Sequence, residues 1–109
     1  MAENCTFCKI INGEIETKFV YKDDEILVFH DINPEAPIHL LIVPRQHIKS
    51  FLDLNSNHFS LLTKMIKVVQ RLVKEKKLEG SYRVLINGGA HQIVDHLHFH
   101  LLGDQKLAD

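Results

Sequence analysis

The sequence predicts an α+β fold. Two observations carry that expectation: five short runs with strand character, and one long run with helical periodicity. The strand-like runs are 19–22, 25–30, 39–44, 82–87 and 96–102. The helical run is 55–77, and a shorter helix-compatible stretch covers 6–11.

At 109 residues the chain is expected to be a single domain, residues 1–109. Hydrophobic residues make up 45% of it, enough for one core. The net charge of −1 argues against a protein that coats a nucleic acid polymer, which needs a basic field. A mononucleotide needs only a local site and is not excluded. No apolar run approaches the ~18 residues of a membrane span, so no membrane partner is expected. Residues 1–6 have neither a basic n-region nor an apolar h-region, and the expected location is the cytoplasm. In that reducing compartment two cysteines read as metal ligands or free thiols, not as a disulfide.

In order along the chain, Cys5 and Cys8 form a C-x2-C pair, and Asn12-Gly13 is a helix stop. Two cysteines cannot alone close a tetrahedral zinc site, which takes four ligands. His47 is the best-placed histidine outside 96–100 to join them. The runs 19–22 and 25–30 flank Asp23-Asp24, a hairpin signal whose turn lacks its usual glycine. Pro34 and Pro37 then forbid helix and bar a central strand. Asp31 stands where strand gives way to this rigid loop. Its carboxylate there is equally able to turn the chain or to accept hydrogen bonds from the vicinal diol of a ribose. The run 39–44 is almost wholly apolar, as in a strand buried on both faces, with His39 at its mouth.

The long helix is expected to be capped by Asn55, Ser56 or Asn57 and to end by Gly80. Phe59, Leu62, Ile66, Val69 and Val73 form one apolar stripe; Leu61, Met65, Val68 and Leu72 form a second. The face they make is wider than one sheet needs, so either the helix lies in a deep groove or the second stripe meets another subunit.

The chemistry concentrates at the end. Residues 96–102 read His-Leu-His-Phe-His-Leu-Leu. In a strand, alternate residues share a face, so His96, His98 and His100 project side by side while Leu97, Phe99 and Leu101 enter the core. Three adjacent imidazolium ions would repel. Such a placement suits neutral imidazole, whose uses are metal binding, nucleophilic attack and proton transfer. Gly88-Gly89 is not a phosphate loop, because no Lys-Ser/Thr follows it.

The His-x-His-x-His pattern resembles the signature of the histidine triad family of nucleotide-binding proteins. Residues 5–15, 29–39, 41–48 and 82–87 are also similar to that family, in its order, over nearly the whole chain. The resemblance is greatest to the small branch that hydrolyses nucleoside phosphoramidates. It implies a five-stranded, mainly antiparallel sheet with one long and one short helix, and a homodimer. It implies hydrolysis of a purine nucleoside 5′-phosphoramidate, with His98 as nucleophile forming a nucleotidyl-histidine intermediate. His100, His39 and His96 complete the catalytic set. Asp31 would hold the ribose and Asn87 the phosphate end, and Phe7, Ile10, Phe29, His30 and Ile32 match the base pocket. Some relatives bind structural zinc through the positions of Cys5, Cys8, His47 and His96. No magnesium requirement is implied, because no carboxylate cluster accompanies the triad.

The sequence also departs from that pattern. The loop between Asn87 and His96 is about two residues shorter. Ile93 stands where relatives carry a serine, so one hydroxyl donor to the phosphate or leaving group is missing; such a donor can be worth ~10²–10³ in rate. Asp104-Gln105 replaces Gly-Arg, and the tail ends at Asp109. Two rival readings follow: a dinucleoside polyphosphate hydrolase with the same triad, and a zinc-stabilised, nucleotide-binding interaction protein with weak activity.

Overall fold

The computed structural model of the chain describes residues 4–104. The opening residues 1–3, Gln105 and the tail to Asp109 lie outside the described residues. Five strands, β1 Phe19–Lys22, β2 Ile26–His30, β3 Ile38–Pro44, β4 Tyr82–Leu85 and β5 Phe99–Gly103, form one antiparallel sheet in the order β1-β2-β3-β5-β4. Helix α1 covers Thr6–Ile11 and α2 covers Phe59–Glu75. No helix among the described residues is long and apolar enough to cross a membrane.

Strand alternation sorts the side chains onto two faces. Ile26, Val28, Leu40, Ile42, Phe99 and Leu101 pack against α2 through Met65, Val69 and Leu72. Phe29, Leu41 and Val43 point the other way and pack with Cys5, Phe7, Cys8 and Ile10 of the α1 segment. β3 is buried on both sides, as its apolar run implied. The two helices therefore cover opposite faces, and the histidines lie on the α1 face.

The β1–β2 turn manages without glycine because Asp23 supplies its own cap. Its carboxylate accepts the backbone N–H groups of Glu25 and Ile26, both at 2.7 Å, and the Tyr21 hydroxyl at 2.6 Å. The short α1 is capped at its start by Cys5, whose sulfur accepts the Cys8 N–H at 3.3 Å. It stops at Asn12, followed by Gly13 at φ +79°.

Three expectations need correction. The long helix begins at Phe59, because Asn55 and His58 close a capping box around a separate 3-10 turn, Ser56–His58. Its last residue is Glu75, with Lys76 as C-cap, two residues short of the 55–77 run. Lys77 takes the left-handed conformation at φ +57°, and Leu78 N–H reaches back to Val73 C=O at 2.8 Å. That is a Schellman ending without its glycine, held because Leu78 is fully buried. Finally, the stripe of Met65 and Val68 faces the sheet and is buried within the chain. It is not available to a second subunit. The apolar groups left outward on that side are Phe59 and Ile66, together with Tyr82 and Val84 on the edge strand β4.

Candidate active site

β5 is shorter than the alternation suggested. His96, Leu97 and His98 lie outside the ladder, which begins at Phe99, and His96 sits in a bend. Leu97 N–H donates to Ile48 C=O at 2.6 Å and fixes the approach. All three triad histidines are buried, as is His39.

Hydrogen bonds set the tautomer of each ring. His98 lies against Phe7, ring centroids 4.9 Å apart at 85°. Its Nδ1–H donates to the His96 carbonyl at 2.7 Å, so Nε2 keeps its lone pair. His39 Nδ1 accepts the Glu35 backbone N–H at 3.1 Å, which places the proton of His39 on Nε2. From there it is shared between His100 Nδ1 at 2.8 Å and the Asp31 carboxylate at 3.3 Å. His100 Nδ1 is thus an acceptor, and its own proton sits on Nε2; the atom 3.3 Å away is Asn87 Nδ2, also a donor, so the amide pairs with this tautomer only when it is turned to bring its oxygen to the ring. The site therefore pairs a lone pair on His98 with an N–H donor on His100, and the two rings lie 4.8 Å apart.

Electrostatics favours these neutral forms. Burial pushes the His100 imidazole down to about 4, and neighbouring His98 and His39 push the same way. Burial likewise lowers His98, although its bond to the His96 carbonyl opposes the shift.

His98 and His100 open into a cleft of about 570 Å³. Of the sequence-expected residues, Phe7, Asp31, Ile32 and Asn87 line it. Ile10 and Phe29 lie in the apolar cluster behind Phe7, and His30 is exposed at the end of β2. Neither Ile10, Phe29 nor His30 reaches the cleft wall. Asp31 is also a turn residue, since its second oxygen accepts the Asn33 N–H at 2.8 Å. The sequence reading missed Leu41, Leu85 and His91, which line the cleft as well. Leu41 was hidden inside the apolar run of β3, although the position of His39 two residues earlier marks it as facing the same side. The charged lining among the described residues consists of Asp31 and Glu35, with no lysine or arginine.

The remaining triad histidine faces elsewhere. His96 Nε2–H donates to Pro44 C=O at 2.8 Å, which turns an unprotonated Nδ1 toward Cys5 Sγ at 3.4 Å, Cys8 Sγ at 3.6 Å and His47 Nδ1 at 3.1 Å. His47 Nδ1 is 3.3 Å from Cys8 Sγ. Burial, first, and the neighbouring Cys5 push the Cys8 thiol up to about 11. Zinc bonds of roughly 2.3 Å to sulfur and roughly 2.0 Å to nitrogen imply tetrahedral donor separations of about 3.3–3.8 Å. The four donor atoms lie within 4.8 Å of one another, with most contacts near that edge length, so the donor set fits zinc in number, type and spacing.

A buried histidine pair with opposed tautomers at the mouth of a cleft, carried on a five-stranded antiparallel sheet, is an arrangement suited to a hydrolase. The family profile described as "Scavenger mRNA decapping enzyme C-term binding" matches residues 4–108, and the chain belongs to the histidine triad family. A purine nucleoside phosphoramidase from Escherichia coli K12 is 40% identical over 110 residues, covering 98% of this chain and 92% of its own. An uncharacterised HIT-like protein from Buchnera aphidicola is 46% identical over 104 residues, 93% of each chain. The solved HIT family hydrolase from Legionella pneumophila superposes with a TM-score of 0.89 at 43% identity, covering 92% of each chain.

Proposed function

We propose that this protein hydrolyses purine nucleoside 5′-phosphoramidates to a nucleoside monophosphate and an amine. The observation that carries the reading is the bond from His98 Nδ1–H to the His96 carbonyl, which commits the other nitrogen to attack. His98 Nε2 attacks phosphorus, the phosphorus–nitrogen bond breaks, and the leaving amine takes a proton from the aqueous cleft. The imidazolium charge that develops on His98 is stabilised by the carbonyl that holds its Nδ1–H. His100 Nε2–H donates to a phosphoryl oxygen as charge builds there. His39 keeps that donor correctly oriented; it cannot itself pass a proton on, because its Nδ1 is occupied by the Glu35 N–H. Water then attacks the nucleotidyl-histidine, Nε2 leaves with its electron pair, and a proton is released. Asp31 holds the ribose hydroxyls, and Phe7 and Ile32 supply apolar contact for a purine.

The name of the Escherichia coli relative supports this substrate class. The charge of the cleft favours it over a dinucleoside polyphosphate, whose several negative charges would meet Asp31 and Glu35 without a cationic partner. The reading also includes one structural zinc on Cys5, Cys8, His47 and His96, tying α1 to the approach of β5 and taking no part in the chemical step. A second copy of the chain is the proposed partner. β4 is an edge strand with unpaired backbone groups, and Tyr82, Val84 and Ile66 beside it are exposed. Free, buried thiols suit the cytoplasm. Turnover of adenosine 5′-phosphoramidate compared with diadenosine polyphosphate tests the substrate class. The phosphoramidate should be preferred at least tenfold, and the reverse order would overturn the reading.

A further inference from the structure

The segment from Cys5 to Cys8 is a partition with a different side chain on each side. Phe7 lines the catalytic cleft and stands edge-on to His98, ring centroids 4.9 Å apart. Cys8 and His47 line a second cleft on the outer side, together with Lys9, Glu14 and Arg45. Cys8 is therefore reached from solvent without passing the substrate. The two cysteines also suit each other. Cys5 is the N-cap of α1 and Cys8 its third residue. Helix geometry sets that spacing at about 5 Å between Cα atoms, inside the roughly 4.4–6.8 Å that a disulfide spans. The Cys5 sulfur accepts the Cys8 N–H at 3.3 Å, and the two sulfurs lie within 4.8 Å of each other. Side-chain rotation is enough to bring them together.

We propose that Cys5 and Cys8 form a redox switch on the nucleophile, closed to a disulfide by a hydroperoxide. The inference rests on the zinc reading, because zinc when bound holds both sulfurs as thiolates, the form that attacks. The Cys8 sulfur attacks one peroxide oxygen, the O–O bond breaks and hydroxide leaves. The Cys5 sulfur then attacks the sulfenic sulfur of Cys8, the S–S bond forms and a second hydroxide leaves. Two protons from solvent turn both hydroxides into water, and the sulfurs supply the two electrons that reduce the peroxide. The disulfide removes two of the four metal donors. It also draws the sulfurs away from His96 Nδ1, which they approach at 3.4 and 3.6 Å. Phe7 lies between the joined residues and shifts against His98. His96, whose carbonyl orients His98 Nδ1–H, loses an anchor at the same time.

The test treats the full chain, purified without added metal or chelator, with hydrogen peroxide. It follows zinc released to a chromophoric chelator, the mass of the tryptic peptide that ends at Lys9 and holds both cysteines, and turnover of adenosine 5′-phosphoramidate. Each chain should release one zinc, and the peptide should lose about 2 Da, the two thiol hydrogens. Turnover should fall at least about tenfold, since a misplacement of about 1 Å can cost about 100-fold. Dithiothreitol with zinc should restore all three, which is read in the wild type and needs no variant to fold. In Cys8→Ser, peroxide should leave the variant's own turnover within about twofold. Zinc present without the loss of 2 Da, a disulfide that leaves turnover unmoved, or an equal loss of turnover in Cys8→Ser overturns this inference and leaves the zinc reading standing. Protein purified without zinc overturns the zinc reading, and this inference with it. No turnover before peroxide is added overturns the phosphoramidate reading and the switch on its nucleophile together.

Discussion

Asp31 has two employments. One carboxylate oxygen turns the chain through Asn33, and the other lies beside His39 at the cleft. A turn role affects every substrate alike; a ribose role does not. Asp31→Ala should therefore raise KM about tenfold more for ribonucleotides than for substrates lacking both ribose hydroxyls, as losing a hydrogen bond to a charged group costs about 1.5–3 kcal/mol. Equal losses in the two substrate series would leave Asp31 only its turn. His100 sets a pH dependence. Its folded value of about 4 lies below the unfolded value of 6.5, so the unfolded chain binds the proton more readily. Its contribution to stability is present above pH 6.5 and is lost as the pH falls toward 4. Melting temperature followed from pH 7 to pH 4 should drop across that window, and less so in His100→Gln. The histidines themselves were legible, because period-two spacing announces a shared face. Their tautomers were not, because the partners that set them, Pro44 C=O and Glu35 N–H, are remote in sequence or hidden in the backbone.

At the scale of elements, α1 is too short to hold itself to the sheet by helix propensity. Its attachment rests on Phe7 and Ile10 and on the cluster of Cys5, Cys8, His47 and His96. Cys8→Ser should lower zinc content and melting temperature together, with a smaller effect on the chemical step. Elemental analysis of protein purified without added metal or chelator gives the reference, expected at one zinc per chain. Fully folded, active protein well below that ratio would reduce the cysteines to core thiols. The C-x2-C pair was legible as half of that Cys/His cluster. Element ends were less so: Lys77 bears a left-handed conformation that sequence rules assign to glycine, because the pull of buried Leu78 outweighs the local cost.

At the scale of the molecule, the two stripes of α2 were legible but not their assignment. The sequence shows that the apolar face is wide. Only the packed chain shows that Met65 and Val68 lie inward while Ile66 remains outward beside Tyr82 and Val84. The surface proposed for a second copy is therefore the β4 edge and not the inner stripe. Val84→Lys should lower the sedimentation coefficient from that of a dimer to that of a monomer at micromolar concentration. A wild-type chain that is already monomeric there would remove the partner. The strand order was not readable from the five runs by themselves: β5 enters between β3 and β4, and this is what sets His100 diagonally across from His39.

All three scales converge on His98 Nε2, positioned by the His96 carbonyl, walled by Phe7 and facing the donor on His100. The most direct measurement is mass spectrometry of protein quenched with base during turnover of adenosine 5′-phosphoramidate, since a phosphorus–nitrogen bond to imidazole survives alkali better than acid. The expected result is one adenylyl group on the peptide containing His98, absent from His98→Ala, which should bind nucleotide within tenfold of wild type yet lose turnover. Continued turnover by His98→Ala at more than a few per cent of the wild-type rate, or an adduct located on another residue, would contradict the account.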